Sequence, residues 1–127
     1  MRSFATAMAF VITALTLSGC GSSSSSPSSA NDGTIAATLT ISASGISPKS
    51  VTVPVGSRVT IVNNDSRSHD MNSDPHPEHT QCPALNVGTL TNGQSRTSQN
   101  LTTARSCGMH DHNDPDNAAW KATIVVQ

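Results

Sequence analysis

The sequence predicts an all-β sandwich with two long loops at one end, and three observations lead to this prediction. Apolar and polar residues alternate over most of the chain from residue 34 onward, which is the pattern of strands that bury one face. No segment there has the apolar spacing of an amphipathic helix. Turn signals divide this part of the chain into about six to eight short strands, a number typical of a β-sandwich.

The individual strands follow from where the alternation starts and stops. In the first of them, an apolar set runs from Ile35 to Ala43 and ends at Gly45. Pro54 has no amide hydrogen to donate, so the strand around it is expected to lie at a sheet edge or to end there. Trp120 is the only aromatic residue beyond the first ten residues, and we expect it to anchor the last strand in an otherwise aliphatic core. The predicted strands cover residues 35–44, 50–55, 58–63, 94–101 and 120–127.

Two polar stretches, residues 66–85 and 108–118, break the alternation. All five histidines of the chain lie in them, and so does Cys82, while Cys107 directly precedes the second stretch. Long ordered loops often carry function. We therefore expect the first stretch to be a long loop or a very short strand with a loop, the second to be a loop, and the functional site to lie in these two stretches.

The first 19 residues are expected to be an export signal. Arg2 supplies positive charge, and residues 4–17 are mostly apolar but too few to span a bilayer. This run ends in Leu-Ser-Gly-Cys, which resembles the lipobox of bacterial lipoproteins and implies cleavage before Cys20 and acylation of its side chain.

The chain beyond the signal divides into a tether and one folded domain. Residues 20–33 are rich in serine and cannot bury apolar surface, so we interpret them as a flexible linker. Residues 34–127 are then the single domain. Together with Cys20, this organisation predicts a lipid-anchored protein of the bacterial cell envelope, periplasmic or on the outer surface.

Charge and composition exclude several classes of partner and activity. The net charge is −1 and there is no basic cluster, so nucleic acid is not expected as a partner and the membrane is reached only through the lipid. No Ser-His-Asp triad, phosphate-binding loop or carboxylate pair is evident. We therefore expect a binding protein and not an enzyme.

Several segments taken together resemble the cupredoxins, the plastocyanin-like blue copper proteins. The similar segments are residues 46–53, 59–69, 90–95, 107–110 and 120–126. The resemblance implies a Greek-key β-sandwich that binds copper through His69, Cys107 and His110. It also implies that the protein carries electrons to a redox partner protein at the cell envelope.

The chain departs from the cupredoxin pattern at three positions. Trp120 stands where the family usually has its axial methionine, and an indole does not ligate copper. Arg105 replaces an aromatic residue before the ligand cysteine. Cys82 has no counterpart in plastocyanin.

Cysteine parity supports a different copper site. Once the lipidated cysteine is set aside, Cys82 and Cys107 form an even pair in an oxidising compartment, where a disulfide is expected. Copper would then be held by imidazoles alone, from His69, His110 and His112, and the protein would be a copper carrier or chaperone. The His110 and His112 side chains share one face of an extended segment, so they could bind one ion. The residues leave open whether Cys107 is a thiolate ligand or half of a disulfide.

Two other functions explain less of the sequence. A copper dismutase would account for the His-x-His pair, but in copper-zinc dismutases that pair comes early in the chain. A metal-free scaffold domain would leave the concentration of histidines unexplained.

Other candidate residues receive simpler interpretations. His76 and His79 are weaker ligand candidates and could simply be exposed. Met71 and Met109 could serve as soft axial ligands, but we expect them to contribute to packing of the loops. Asp111 is expected either to orient a ligand imidazole or to be solvated.

Overall fold

The computed structural model describes residues 33–127, which form nine strands in two sheets packed face to face. The expected export signal, Cys20 and nearly all of the expected tether lie outside the described residues. The strands are β1 (Ile35–Ser42), β2 (Gly45–Ser47), β3 (Ser50–Val53), β4 (Arg58–Asn63), β5 (His69–Ser73), β6 (Gly88–Leu90), β7 (Ser95–Thr97), β8 (Arg105–Asp111) and β9 (Ala122–Val126). Two 3-10 turns, Pro83–Leu85 and Ala118–Trp120, complete the regular structure. Within this part of the chain, no helix is long and apolar enough to cross a membrane.

The predicted all-β sandwich is confirmed. One sheet has the order β2-β1-β4-β7, and the other has the order β3-β9-β8-β5-β6. Two pairs, β1 with β4 and β3 with β9, are parallel, and the remaining pairs are antiparallel. Strand β3 is at a sheet edge and ends at Val53, directly before Pro54, as the missing amide hydrogen of proline requires.

The core between the sheets is aliphatic, as expected for a domain with one aromatic residue. Alternate residues of β1, β4 and β9, such as Leu39, Ile61 and Ile124, are fully buried there. Burying each of these side chains contributes about 1.5–3 kcal/mol to folding. Trp120 is 4% exposed and closes one end of this core.

Strand β8 runs further than the sequence pattern predicts. The second polar stretch was expected to be loop from residue 108, but β8 continues to Asp111 because its alternate residues, Cys107 and Met109 among them, are buried in the core. Polar or small residues on the other face, Gly108 and His110, hide this alternation in the sequence. Strand β5 likewise occupies part of the first stretch, which is therefore a short strand followed by a loop.

A loop over residues 74–82, here called the histidine loop, lies across the outer face of β8 where β5 has ended. The Asp74 amide donates to the Gly108 carbonyl at 3.0 Å, and the Gly108 amide donates to Gln81 Oε1 at 2.7 Å. A disulfide between Cys82 and Cys107, with 5.9 Å between the Cα atoms, fastens the end of the loop. The loop thus takes the place of a neighbouring strand and brings its side chains over β8.

Candidate metal centre

Four histidines converge on the outer face of β8 and are called the histidine cluster. His76 and His79 come from the histidine loop, His110 lies on β8, and His112 follows directly after that strand. Ring centroids are separated by 4.7 Å for His76 and His112, 4.9 Å for His79 and His112, and 5.1 Å for His79 and His110. Each of three histidines contributes one ring nitrogen to a group whose members lie within 4.8 Å of one another; these are His76, His79 and His110. At this spacing the three nitrogens could hold one metal ion.

The His110 ring is oriented by a carboxylate. Its Nδ1 is 2.6 Å from Asp74 Oδ1, and because an ionised carboxylate only accepts hydrogen bonds, Nδ1 carries the proton. In the neutral ring, the other nitrogen, Nε2, then presents a lone pair. Within residues 33–127, Nε2 of His110 is the only buried side-chain nitrogen or oxygen without a hydrogen-bond partner. Such an atom costs about 1–3 kcal/mol unless something binds it.

The His79 ring is held in the same way by a backbone carbonyl. Its Nδ1 donates to the Ser73 carbonyl at 2.9 Å, so its Nε2 lone pair accepts from His112 Nδ1 at 2.8 Å. The His79 carbonyl in turn accepts hydrogen bonds from the Ser73 hydroxyl and the Asn86 amide, at 3.0 and 2.9 Å. The backbone φ of His79 is 54°, a left-handed value that is uncommon for residues other than glycine and that often marks a functional site.

His76 is the exposed member of the histidine cluster. Desolvation of its ring and the neighbouring imidazoles of His112, His110 and His79 lower the pKa of His76, whereas Asp116 raises it. The net lowering favours the neutral ring, which is the form that binds a metal.

His69, the first expected copper ligand, lies elsewhere. It is 1% exposed and faces the interior, where its Nδ1 is 2.8 Å from Asp111 Oδ2 and its Nε2 is 2.9 Å from Asp65 Oδ2. Both ring nitrogens of His69 are thus engaged by carboxylates, and neither is free for a metal. The centroid of the His69 ring lies 4.5 Å from that of Trp120. The Cζ atom of Arg67 lies over the Trp120 ring, 5.0 Å from its centroid.

The contact with His69 also affects the pKa of the Asp65 carboxylate. Its hydrogen bond to His69 holds the pKa of Asp65 below the ordinary value, burial opposes this, and bonds to Arg67 and to the Ser66 amide lower it further. Asp111, which was expected either to orient a ligand imidazole or to be solvated, is buried and bonds the imidazole of His69, an expected ligand. His69, Asp65 and Asp111 thus form a buried hydrogen-bonded group in which both imidazole nitrogens are occupied.

Cys107, the second expected ligand, is bonded to Cys82, so in this structure its sulfur is not a thiolate. The expected set of His69, Cys107 and His110 is not brought together, and strand geometry gives the reason. Residues three apart on a continuous strand point to opposite faces of the sheet, which places Cys107 in the core and His110 on the outer face. His110 and His112, two apart, belong to the same group, but their companions are His76 and His79 rather than His69.

His76 and His79, the weaker ligand candidates in the sequence, lie beside His110 in the structure, and Asp74, which has no motif to mark it, bonds His110. A usable signal was present: these residues precede Cys82, whose bond to Cys107 ties the segment to the strand that holds His110. The proximity of this segment to His110 follows from the sequence only if Cys82 and Cys107 form a disulfide.

Comparison with known proteins identifies the fold. No protein-family model matches the chain, and no curated protein is similar to it in sequence. A purple cupredoxin from Nitrosopumilus maritimus superposes with a TM-score of 0.59 at 21% identity, over 72% of this chain and 99% of that one. A reduced amicyanin variant gives a TM-score of 0.54 at 19% identity, over 75% of this chain and 83% of the other.

Plastocyanin from Dryopteris crassirhizoma is a third similar structure, with a TM-score of 0.55 at 16% identity over 71% of this chain and 99% of that one. The chain therefore has the cupredoxin fold, as its sequence segments suggested. At these identities the likeness establishes the fold, and the site must be judged from this chain's own residues.

Proposed function

We propose that this protein binds copper as Cu(II) through the histidine cluster and acts as a copper carrier at the cell envelope. Two observations carry the proposal. The buried Nε2 of His110 has no hydrogen-bond partner, and one ring nitrogen each of His76, His79 and His110 approach to within 4.8 Å of one another. His76, His79 and His110 would hold the ion. Because the Nε2 lone pair of His79 accepts from His112, binding would break that hydrogen bond and free His112 to supply a fourth imidazole.

The donor chemistry favours Cu(II). Imidazole nitrogens bind divalent metals in an order that peaks at copper, ahead of zinc. Two similar structures are Cu(I) forms of amicyanin, which supports copper as the metal for a domain of this fold. A bound ion would also complete the coordination of His110 and so offset the cost of its unpartnered nitrogen.

The donor set also separates a carrier from an electron-transfer protein. Electron transfer by blue copper relies on a soft thiolate that suits both oxidation states. Here both domain cysteines are in the disulfide, and Met71 and Met109 are buried in the core, on the opposite side of the sheet from the histidine cluster. An all-nitrogen site holds Cu(II) well and Cu(I) poorly, which fits uptake and delivery of copper.

An electron carrier with a site formed by His69, Cys107 and His110 is the second candidate, favoured by the likeness to plastocyanin and amicyanin. That site requires a free Cys107 thiolate and a free His69 nitrogen. Its signature is intense visible absorption from a Cu(II)–thiolate bond, whereas the histidine cluster gives only pale copper absorption.

The following experiment tests the histidine cluster as the copper site. The chelator-treated domain is titrated with Cu(II), and electron paramagnetic resonance records nitrogen coupling. We expect one tightly bound equivalent with several nitrogen ligands, and at least about tenfold weaker binding in His76→Ala and His79→Ala. Glu78→Gln, an exposed substitution between them, is the control and should bind like the wild type. Unchanged affinity in both histidine variants, or tighter binding of Zn(II) than of Cu(II), contradicts the proposal.

We also propose that export and acylation at Cys20 hold the domain at the envelope, where a partner protein would exchange copper with it. This rests on the resemblance to the lipobox. Radiolabelled palmitate should be incorporated by the full chain in a bacterial host and not by its Cys20→Ser variant. A wild-type chain that takes up no label refutes the anchor.

A further inference from the structure

Asp74 connects the histidine loop to the strand beneath it through both its backbone and its side chain. Its amide donates to the Gly108 carbonyl at 3.0 Å, and its Oδ1 accepts from His110 Nδ1 at 2.6 Å. The carboxylate is 47% exposed, whereas the His110 ring that it contacts is 1% exposed. A partly solvated negative charge therefore acts on a buried imidazole.

Gly108 makes room for this contact. A Cβ atom at this position would lie 1.9 Å from Asp74 Oδ2 and 2.7 Å from Asp74 Cγ, distances at which atoms overlap. The backbone of Gly108 is not left-handed, so any residue could adopt its conformation. The absence of a side chain is needed for space, and the atoms that use the space belong to the Asp74 carboxylate.

We propose that Asp74, seated against Gly108, is the positioning residue of the metal centre. Its carboxylate fixes the His110 tautomer with the proton on Nδ1, holds the ring so that the Nε2 lone pair faces the other histidines, and increases the basicity of that nitrogen. A carboxylate behind a ligand imidazole commonly has these effects on a bound metal. This inference rests on the proposed function, because it assigns a role within the same site.

Two substitutions separate the charge of Asp74 from its position. Asp74→Asn keeps the volume and one oxygen that can accept from His110 Nδ1, but it removes the charge. Gly108→Ala keeps the charge and every ligand but drives the carboxylate away from β8. The matched control is Asp114→Asn, which removes the same charge from a nearby residue whose Oδ2 accepts from Asn117.

We expect Asp74→Asn and Gly108→Ala each to weaken Cu(II) binding by about 10- to 100-fold and to change the nitrogen coupling in the electron paramagnetic resonance spectrum. Asp114→Asn should stay within about twofold of the wild type, since the Asp114 carboxylate bonds Asn117 and not a histidine. Thermal unfolding without copper is measured alongside, because a purely structural role would lower the melting temperature and leave both copper readouts unchanged.

The outcomes distinguish this inference from the proposed function. If the His76→Ala and His79→Ala variants bind copper like the wild type, the site itself is wrong. If those variants lose copper while Asp74→Asn and Gly108→Ala retain wild-type affinity and spectrum, the site stands and the positioning role of Asp74 is refuted. If Asp114→Asn weakens copper binding as much as Asp74→Asn does, the cause is the loss of any negative charge near the site. The positioning role of Asp74 is then also refuted.

Discussion

Cys107 and His110 lie three residues apart on one strand and face opposite sides of the sheet. The Cys107 sulfur is bonded to Cys82 in the core, while the His110 ring lies beneath the histidine loop on the outer face. In the cupredoxin pattern this Cys-x-x-His spacing supplies two ligands to one copper ion. Here β8 remains extended through both residues, so the same spacing separates them.

Thiol counting tests this separation directly. We expect no free thiol in the unfolded, unreduced domain that begins after Cys20, because Cys82 and Cys107 are bonded to each other. Copper addition should then produce no intense visible absorption. The domain of a double Cys82→Ala, Cys107→Ala variant serves as the thiol-free reference. Two free thiols, one of which disappears when copper is added, would instead identify Cys107 as a ligand.

The disulfide is expected to stabilise the domain measurably. It joins residues separated by 25 positions and so restricts the unfolded chain. A loop of this size is worth about 3 kcal/mol. Denaturant unfolding of the oxidised and the dithiothreitol-reduced wild type measures the difference without introducing a cavity. Equal unfolding midpoints in the two forms would mean that the bridge contributes nothing.

Replacing His69 should affect stability and leave copper binding intact. The His69→Ala substitution removes the group that bonds both Asp65 and Asp111 and leaves two buried carboxylates facing each other. We expect the melting temperature to fall by roughly 10 °C, while the Cu(II) affinity of the folded variant stays within about twofold of the wild type. Loss of copper from a folded His69→Ala protein would restore His69 as a ligand.

Acid should remove the contribution of Asp65. The pKa of Asp65 is held below its ordinary value of 3.8, chiefly by the hydrogen bond to His69. A carboxylate whose pKa is lower in the folded state stabilises the protein above its unfolded pKa, and this stabilisation is lost as pH falls through the folded value. The wild type should therefore lose stability below about pH 4. Asp65→Asn should be less stable than the wild type at neutral pH, and the difference in stability between the two proteins should shrink below about pH 4.

Denaturant unfolding at a series of pH values measures this convergence. Asp70→Asn is a suitable control, because Asp70 is only partly buried and bonds the neutral Asn72 side chain. A gap between wild type and Asp65→Asn that stays constant from neutral to acidic pH would show that the charge of Asp65 is not the cause.

The local pattern of the sequence predicts most of the strands. Strand β4 has the predicted bounds, and β1 and β9 differ from prediction by one or two residues at their ends. Alternation is a property of neighbouring residues, so the chain alone reveals it wherever one face is apolar. It fails along β8, where the outward residues are glycine and histidine and the strand looks like a loop.

The candidate site depends on contacts that no local pattern encodes. Asp74 bonds a histidine 36 positions away, and His79 bonds one 33 positions away. These contacts form because the histidine loop lies against β8. The disulfide between Cys82 and Cys107 and the hydrogen bonds to Gly108 hold the loop there.

By itself, the sequence determined an all-β domain, an aliphatic core, two cysteines within that domain, and a chain segment in which every histidine is concentrated. Only the tertiary structure decided which histidines lie together: it enclosed His69 between two carboxylates and assembled His76, His79, His110 and His112 on the other side of the sheet. The physical reason is that strand periodicity assigns a side chain to a face, whereas the covering of that face depends on where a distant loop is fastened.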